Sequence, residues 1–124
     1  MNVEIKTLLS REFGVVTIGK ILGDLDHHTA KDIRHEIDEE IRRENPKILI
    51  LDFSALTFMD SSGIGLIMGR YKLMEELSGK IIVSCCQSYI KKVLKISGVN
   101  RLAEIVEDYS CYIKEVTRIE EHSN

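Results

Sequence analysis

Two clusters of residues have the types and spacing to do chemistry. The first is Asp60-Ser61-Ser62, which runs directly into Gly63-Ile64-Gly65 and a segment of helical period. Asp and Ser oxygens satisfy the unpaired N–H groups of a first helical turn, so two hydroxyls stand at the positive end of a helix. A serine there can be a simple cap, a nucleophile on a strand-to-helix elbow, part of a phosphate cradle, or the acceptor of a phosphate. No Lys follows the glycines as the Walker pattern requires, which weakens the cradle. Neither serine is flanked as Gly-x-Ser-x-Gly, which weakens the elbow. Cap and phosphate acceptor remain, and nothing in the spacing separates Ser61 from Ser62. The second cluster is Asp24-Leu25-Asp26-His27-His28. A metal would need further ligands at helical spacing, and none follow; neighbouring histidines also diverge. These residues are expected to shape the turn that starts a helix, and no metal is expected.

The elements that position the first cluster are legible around it. Ile48-Leu49-Ile50-Leu51 is an unbroken aliphatic run of strand length, as in a parallel strand covered on both faces. A short polar connection is expected over 54–57, and the helix after Ser62 is expected to run to about Leu77, stopped by Ser78-Gly79. Eight apolar residues of that helix, Ile64 and Met68 among them, cover about two-thirds of its circumference, more than one sheet can hide. Gly65 and Gly69 line the remaining side with Lys72 and Glu76. Each glycine costs a helix about 1 kcal/mol relative to alanine. Two explanations stand: a partner protein approaches that side, with Ile64 or Met68 on its shoulder, or a loop of the same chain packs there. Arg70 falls among the leucines and is expected to snorkel, stem covered and head in solvent.

Elsewhere, residues 3–9 and 15–22 read as a hairpin broken at Phe13-Gly14, followed by a turn over 23–26. Thr29 is placed as N-cap of a helix with the stripe Ile33, Ile37, Ile41, ended by Asn45-Pro46. A buried strand over 80–84 follows. Ser88 is placed to cap a third helix striped by Ile90, Val93, Leu94 and Ile96, closed by Ser97-Gly98. A short strand over 103–106, an amphipathic helix over 109–119 and a polar frayed tail over 120–124 complete the reading. The alternation of strands and helices predicts an α/β domain with a mostly parallel or mixed sheet.

Composition narrows the function classes. The 124 residues suit one domain with one modest core; 44% are hydrophobic and 30% charged. A net charge of −3 with signs interspersed argues against nucleic-acid binding. The longest apolar runs fall well short of the roughly 20 residues a membrane helix needs. With no signal pattern at the N-terminus, a cytoplasmic protein is expected. Three cysteines, Cys85 and Cys86 adjacent, fit free thiols in a reducing compartment, read as small buried hydrophobes.

Phe58-Met59-Asp60-Ser61-Ser62-Gly63-Ile64-Gly65, with Gly69-Arg70-Tyr71-Lys72 after it, resembles the anti-sigma factor antagonists of the STAS domain family. Gly23-Asp24-Leu25-Asp26-His27-His28-Thr29-Ala30 is a second matching block at the proper separation. The likeness is greatest to the sporulation-type members that antagonise an anti-sigma-F factor, and covers about 2–106. It implies one STAS domain over 1–124, with a small sheet of four to five strands and about four helices largely on one side. It implies that the two motif loops lie side by side on a binding surface of Asp24, Asp26, Asp60, Ser61, Ser62, Gly63, Ile64, Gly65 and Met68. Ser61 would be the phosphorylated residue. The partners implied are an anti-sigma factor with serine kinase activity, which itself binds the ATP or ADP, and a serine phosphatase. The chain would need no cofactor and would not be an enzyme, a nucleic-acid binder or a membrane protein. Where relatives usually carry Glu, this chain has Asp24, one methylene shorter. Two alternatives stand: a STAS module of a general stress-response sigma pathway, and a small serine hydrolase recruiting His27 or His28 with Asp26.

Overall fold

The hairpin forms as expected. Strands β1 (Val3–Ser10) and β2 (Gly14–Ile21) pair antiparallel from Val3↔Ile21 to Ser10↔Gly14. Strand β4 (Ile48–Asp52) joins β2 in parallel, β6 (Lys80–Ser84) joins β4, and β7 (Glu104–Val106) joins β6. Strand β8 (Val116–His122) runs antiparallel to the free edge of β1, giving a mixed sheet of order β7-β6-β4-β2-β1-β8. The structure, a computed structural model, describes residues 2–122.

Side chains alternate along each strand, so the sheet has two covered faces. Leu49, Leu51, Ile81 and Val83 point into one core with all three helices: α1 (Ala30–Glu44), α2 (Ser61–Glu76) and α3 (Ser88–Ser97). Ile33, Ile37 and Ile41 are the buried stripe of α1, and its end at Asn45 adopts the left-handed conformation that halts it before Pro46. Ile48, Ile50 and Ile82 point the other way and join Leu8, Val16, Ile18 and Tyr112 in a second core.

That second core explains the main departure from expectation. The segment read as a helix over 109–119 is a single 3-10 turn at Ser110–Tyr112 followed by β8. A helix there would leave the helix-free face of the sheet open. Instead Tyr109, Tyr112 and Ile113 lie across it, and Glu115 turns with a φ of 55° into β8. β8 in turn covers the edge of β1, whose unpaired backbone groups would otherwise face solvent. There are therefore three α-helices among the described residues, and the large sheet has six strands. Residues 120–122 belong to β8 rather than a frayed tail, while Ser123 and Asn124 lie outside the described residues.

Further corrections are local. The expected turn over 23–26 and polar connection over 54–57 contribute instead to a second, two-stranded parallel sheet, β3 (Gly23–Leu25) on β5 (Leu56–Met59). Thr29 occupies the N-cap position of α1 as expected, but not with a side-chain capping bond; its hydroxyl donates to the Asp24 carbonyl oxygen at 2.8 Å. Gln87, not Ser88, occupies the N-cap position of α3, with its amide turned back to donate to the carbonyl oxygens of Phe53 and Leu56. Ile96 lies off the buried stripe of Ile90 and Leu94 and is 79% exposed. Only Cys85 of the three free cysteines is buried; Cys86 and Cys111 are exposed. No helix among the described residues is long and apolar enough to cross a membrane.

Candidate functional site

The small β3–β5 sheet brings the two motif loops together. Its strands pair Asp24 with Phe58 and Leu25 with Met59. The Thr57 hydroxyl donates to Asp24 Oδ1 at 2.9 Å, and the Asp60 N–H donates to the Leu25 carbonyl oxygen at 3.2 Å. The side chain of Asp24, short as it is, is thereby fastened to β5. In the first loop the capping carboxylate is Asp26, whose Oδ1 accepts from the N–H groups of His28 (2.9 Å) and Thr29 (3.1 Å). In the second, Asp60 is extended and its Oδ1 accepts from the Ser62 N–H at 2.8 Å. This bond holds the Asp60 carboxyl below its ordinary pKa, with smaller help from the Ser62 hydroxyl, the His27 N–H and the His27 ring.

The two serines are not equivalent. Ser61 opens α2 and is exposed, and its hydroxyl makes no hydrogen bond among the described residues. Ser62 is half-buried, with its N–H held by Asp60. Gly63 is buried. A Cβ there would sit 2.4 Å from Met59 Sδ and 3.2 Å from Leu25 Cδ2, so glycine lets the first turn of α2 rest directly on the β3–β5 sheet. That places Gly63 under the surface it was assigned to. Ile64 is half-buried against the core, whereas Gly65 is exposed and Met68 is 46% exposed.

A Cβ added at Gly65 or Gly69 would meet nothing within 4 Å. Among the described residues no loop of the same chain packs on them, which counts against one of the two explanations for these glycines. They border an open groove of about 510 Å³ between α1 and α2, with His27, Lys31, Arg34, Ser62 and Arg70 on its walls. Arg70 does not reach out to solvent as expected. Its residue is 6% exposed, with Nε 2.8 Å from Asp38 Oδ1 on α1; the N–H is not aimed at that oxygen, so the contact is ionic. Burial lowers the Arg70 pKa, against the pull of Asp38.

Sequence reasoning missed three contributors. Phe58 is 44% exposed beside the Asp60 loop; its place in a β-favouring run, Leu56-Thr57-Phe58-Met59, was the available signal. Asp38 was detectable as the acid at the edge of the α1 stripe that a charge among the leucines of α2 requires. The Gln87 amide that ties down the turn before β5 had no signal in its neighbours. No histidine hydrogen-bonds to Ser61 or Ser62 among the described residues, and Asp60 Oδ1 is engaged by a backbone N–H.

Comparison with known proteins adds a family. Residues 8–110 match the STAS domain model. An anti-sigma F factor antagonist from Paenibacillus polymyxa is 34% identical over 108 residues, covering 87% of this chain and 90% of that protein. An anti-sigma-B factor antagonist from Staphylococcus aureus is 24% identical, over 86% of this chain and 95% of the relative. The solved structure of the anti-sigma factor antagonist SpoIIAA in its unphosphorylated form superposes with a TM-score of 0.69 at 29% identity, over 80% of this chain and 86% of that one. Its phosphorylated form from Bacillus gives 0.60 at 30%, over 77% and 86%.

Proposed function

The chain belongs to the STAS domain family, and on that premise we propose that it is an anti-sigma factor antagonist controlled by phosphorylation of Ser61. Unmodified, it binds an anti-sigma factor that is itself an ATP-using serine kinase, and so frees a sigma factor, in the manner of a cytoplasmic sporulation regulator. The kinase esterifies Ser61 and ends the interaction; a serine phosphatase restores it. The chain is the substrate of both enzymes and has no catalysis of its own. The observation that carries this reading is the exposed, unengaged Ser61 hydroxyl at the first position of α2, next to the half-buried Ser62.

Physics supports the switch. Phosphorylation adds about −1.5 to −2 charges, which the N-terminus of α2 tolerates within the chain. A like charge about 5 Å away across an interface costs about 0.8 kcal/mol in water but about 3 kcal/mol at an effective dielectric near 20. Release by a thousandfold loss of affinity needs about 4 kcal/mol. Repulsion in bulk water is too weak, so Ser61 lies inside the contact, where desolvation and bulk add to it. The proposed face comprises Ser61 with Asp24, Asp26, Asp60, Ser62, Ile64, Gly65 and Met68. The test is binding to the purified anti-sigma factor: Ser61→Asp is expected to lose about a thousandfold in affinity, and Ser61→Ala to bind and resist release by ATP. A Ser61→Asp variant that binds like wild type contradicts the reading.

The lower identity to the anti-sigma-B factor antagonist keeps a stress-response assembly as the second reading. A pull-down from the native organism separates the two.

A further inference from the structure

The groove between α1 and α2 has a charge pattern at odds with the rest of the molecule. The chain carries a net charge of −3, yet none of the residues lining this groove is acidic. Its cations are Lys31 and Arg34 from α1 and Arg70 from α2, with His27 at one end. One carboxylate, Asp38, lies behind Arg70 and offsets it. Arg34 and Arg42 press on Arg70 in the opposite sense, each lowering its pKa. Lys31 and Arg34 are exposed and make no ion pair or hydrogen bond among the described residues.

Lys31 also stands in the first turn of α1, where the helix dipole disfavours a cation. On the other wall, Gly65 and Gly69 leave the α2 backbone bare, so the groove admits a side chain down to the main chain. A bare wall and three cations, of which only Arg70 has an internal counter-charge, suit an entering carboxylate.

We propose that this groove receives an acidic side chain, Asp or Glu, projecting from the anti-sigma factor. The inference rests on the functional reading above and adds to it a second anchoring point, beside Ser62, one residue from the phosphorylated hydroxyl. Charge complementarity of this kind raises the association rate and fixes the orientation of docking.

The experiment measures association of the full-length chain with the purified anti-sigma factor and ATP across a range of salt, for wild type, K31E/R34E, K31R/R34K and Ser61→Asp. Thermal melting checks the fold of each; the reversal puts an acid in the first turn of α1, so its melting temperature should not fall. The expected result is at least a tenfold loss of affinity for K31E/R34E, mainly in the association rate, with near wild-type binding by K31R/R34K. Wild-type affinity should fall as salt rises, and the reversal should flatten that slope. Affinity of K31E/R34E within twofold of wild type, while Ser61→Asp has lost binding, overturns the groove and leaves the function standing. Absence of binding by wild type removes both. Inorganic phosphate titrated into the free chain is the control for another occupant: saturable binding that the reversal abolishes would place a free anion in the groove and overturn the assignment to a protein carboxylate.

Discussion

Gly63 and Gly65 lie two residues apart on α2 and face opposite worlds. At Gly63 there is no room for even a methyl group against Met59 and Leu25, whereas at Gly65, and one turn on at Gly69, there is nothing to touch. The inner face of α2 continues through Leu66, Ile67, Arg70 and Met74, all buried; the outer face presents Gly65 and Met68. The same residue type therefore answers two different demands. Inside, glycine permits a close approach that builds the site. Outside, its helix cost of about 1 kcal/mol has no intramolecular return, which points to an approach from another molecule.

The contrast can be broken at several points. The largest effect on stability is expected from Arg70→Met, which leaves Asp38 without its partner between two helices. Loss of one member of a buried pair costs about 3 kcal/mol. Urea denaturation reads it, and adding Asp38→Leu should recover most of the loss. Gly63→Ala comes next. The new methyl must displace Met59, itself 1% exposed, and overpacking less the gain in helix propensity leaves a net loss of about 1–2 kcal/mol. By the same assay Gly65→Ala and Gly69→Ala should each gain up to about 1 kcal/mol, while affinity for the anti-sigma factor falls. A gain in stability with unchanged affinity would show that nothing approaches the outer face.

The smallest effect concerns the cap of α2. The Asp60 carboxyl has its folded-state pKa below the ordinary value. Its ionised form therefore stabilises the fold fully above about pH 4, and that contribution is lost as the pH falls through the lowered folded value. Asp60→Asn keeps an acceptor for the Ser62 N–H but removes the charge. Melting temperatures should then show wild type ahead at neutral pH, and the gap closing on acidification below about pH 4. A gap that stays constant through that range would mean the charge contributes nothing.

What could be read before the structure follows from how local each signal is. The α1 stripe Ile33, Ile37, Ile41, the stop at Asn45-Pro46 and the strand from Lys80 to Ser84 are set by neighbours within a few residues, and each was legible. Of the site, the capping run Asp60-Ser61-Ser62 before α2 was equally local, but which of the two serines is the exposed one was not, because it depends on how α2 seats on the β3–β5 sheet. The β3–β5 pairing joins Gly23 to Leu56 across α1 and β4; three- and four-residue strands carry too little pattern to announce themselves. The end of the chain was misread for a related reason. Tyr109, Tyr112 and Ile113 have helical spacing, but their positions are dictated by the open face of a sheet made earlier in the chain, and tertiary demand overrode periodicity. Arg70 looked like a snorkelling side chain because Asp38 is on a different helix.

The central claim is that Ser61, and not its neighbour, is the switch. Incubation of the chain with the anti-sigma factor kinase and ATP, followed by intact-mass measurement and peptide mapping, tests it most directly. One added phosphate is expected, mapped to Ser61, absent from Ser61→Ala and still present in Ser62→Ala. A phosphate on Ser62, or none on either serine while the two proteins bind, would contradict it.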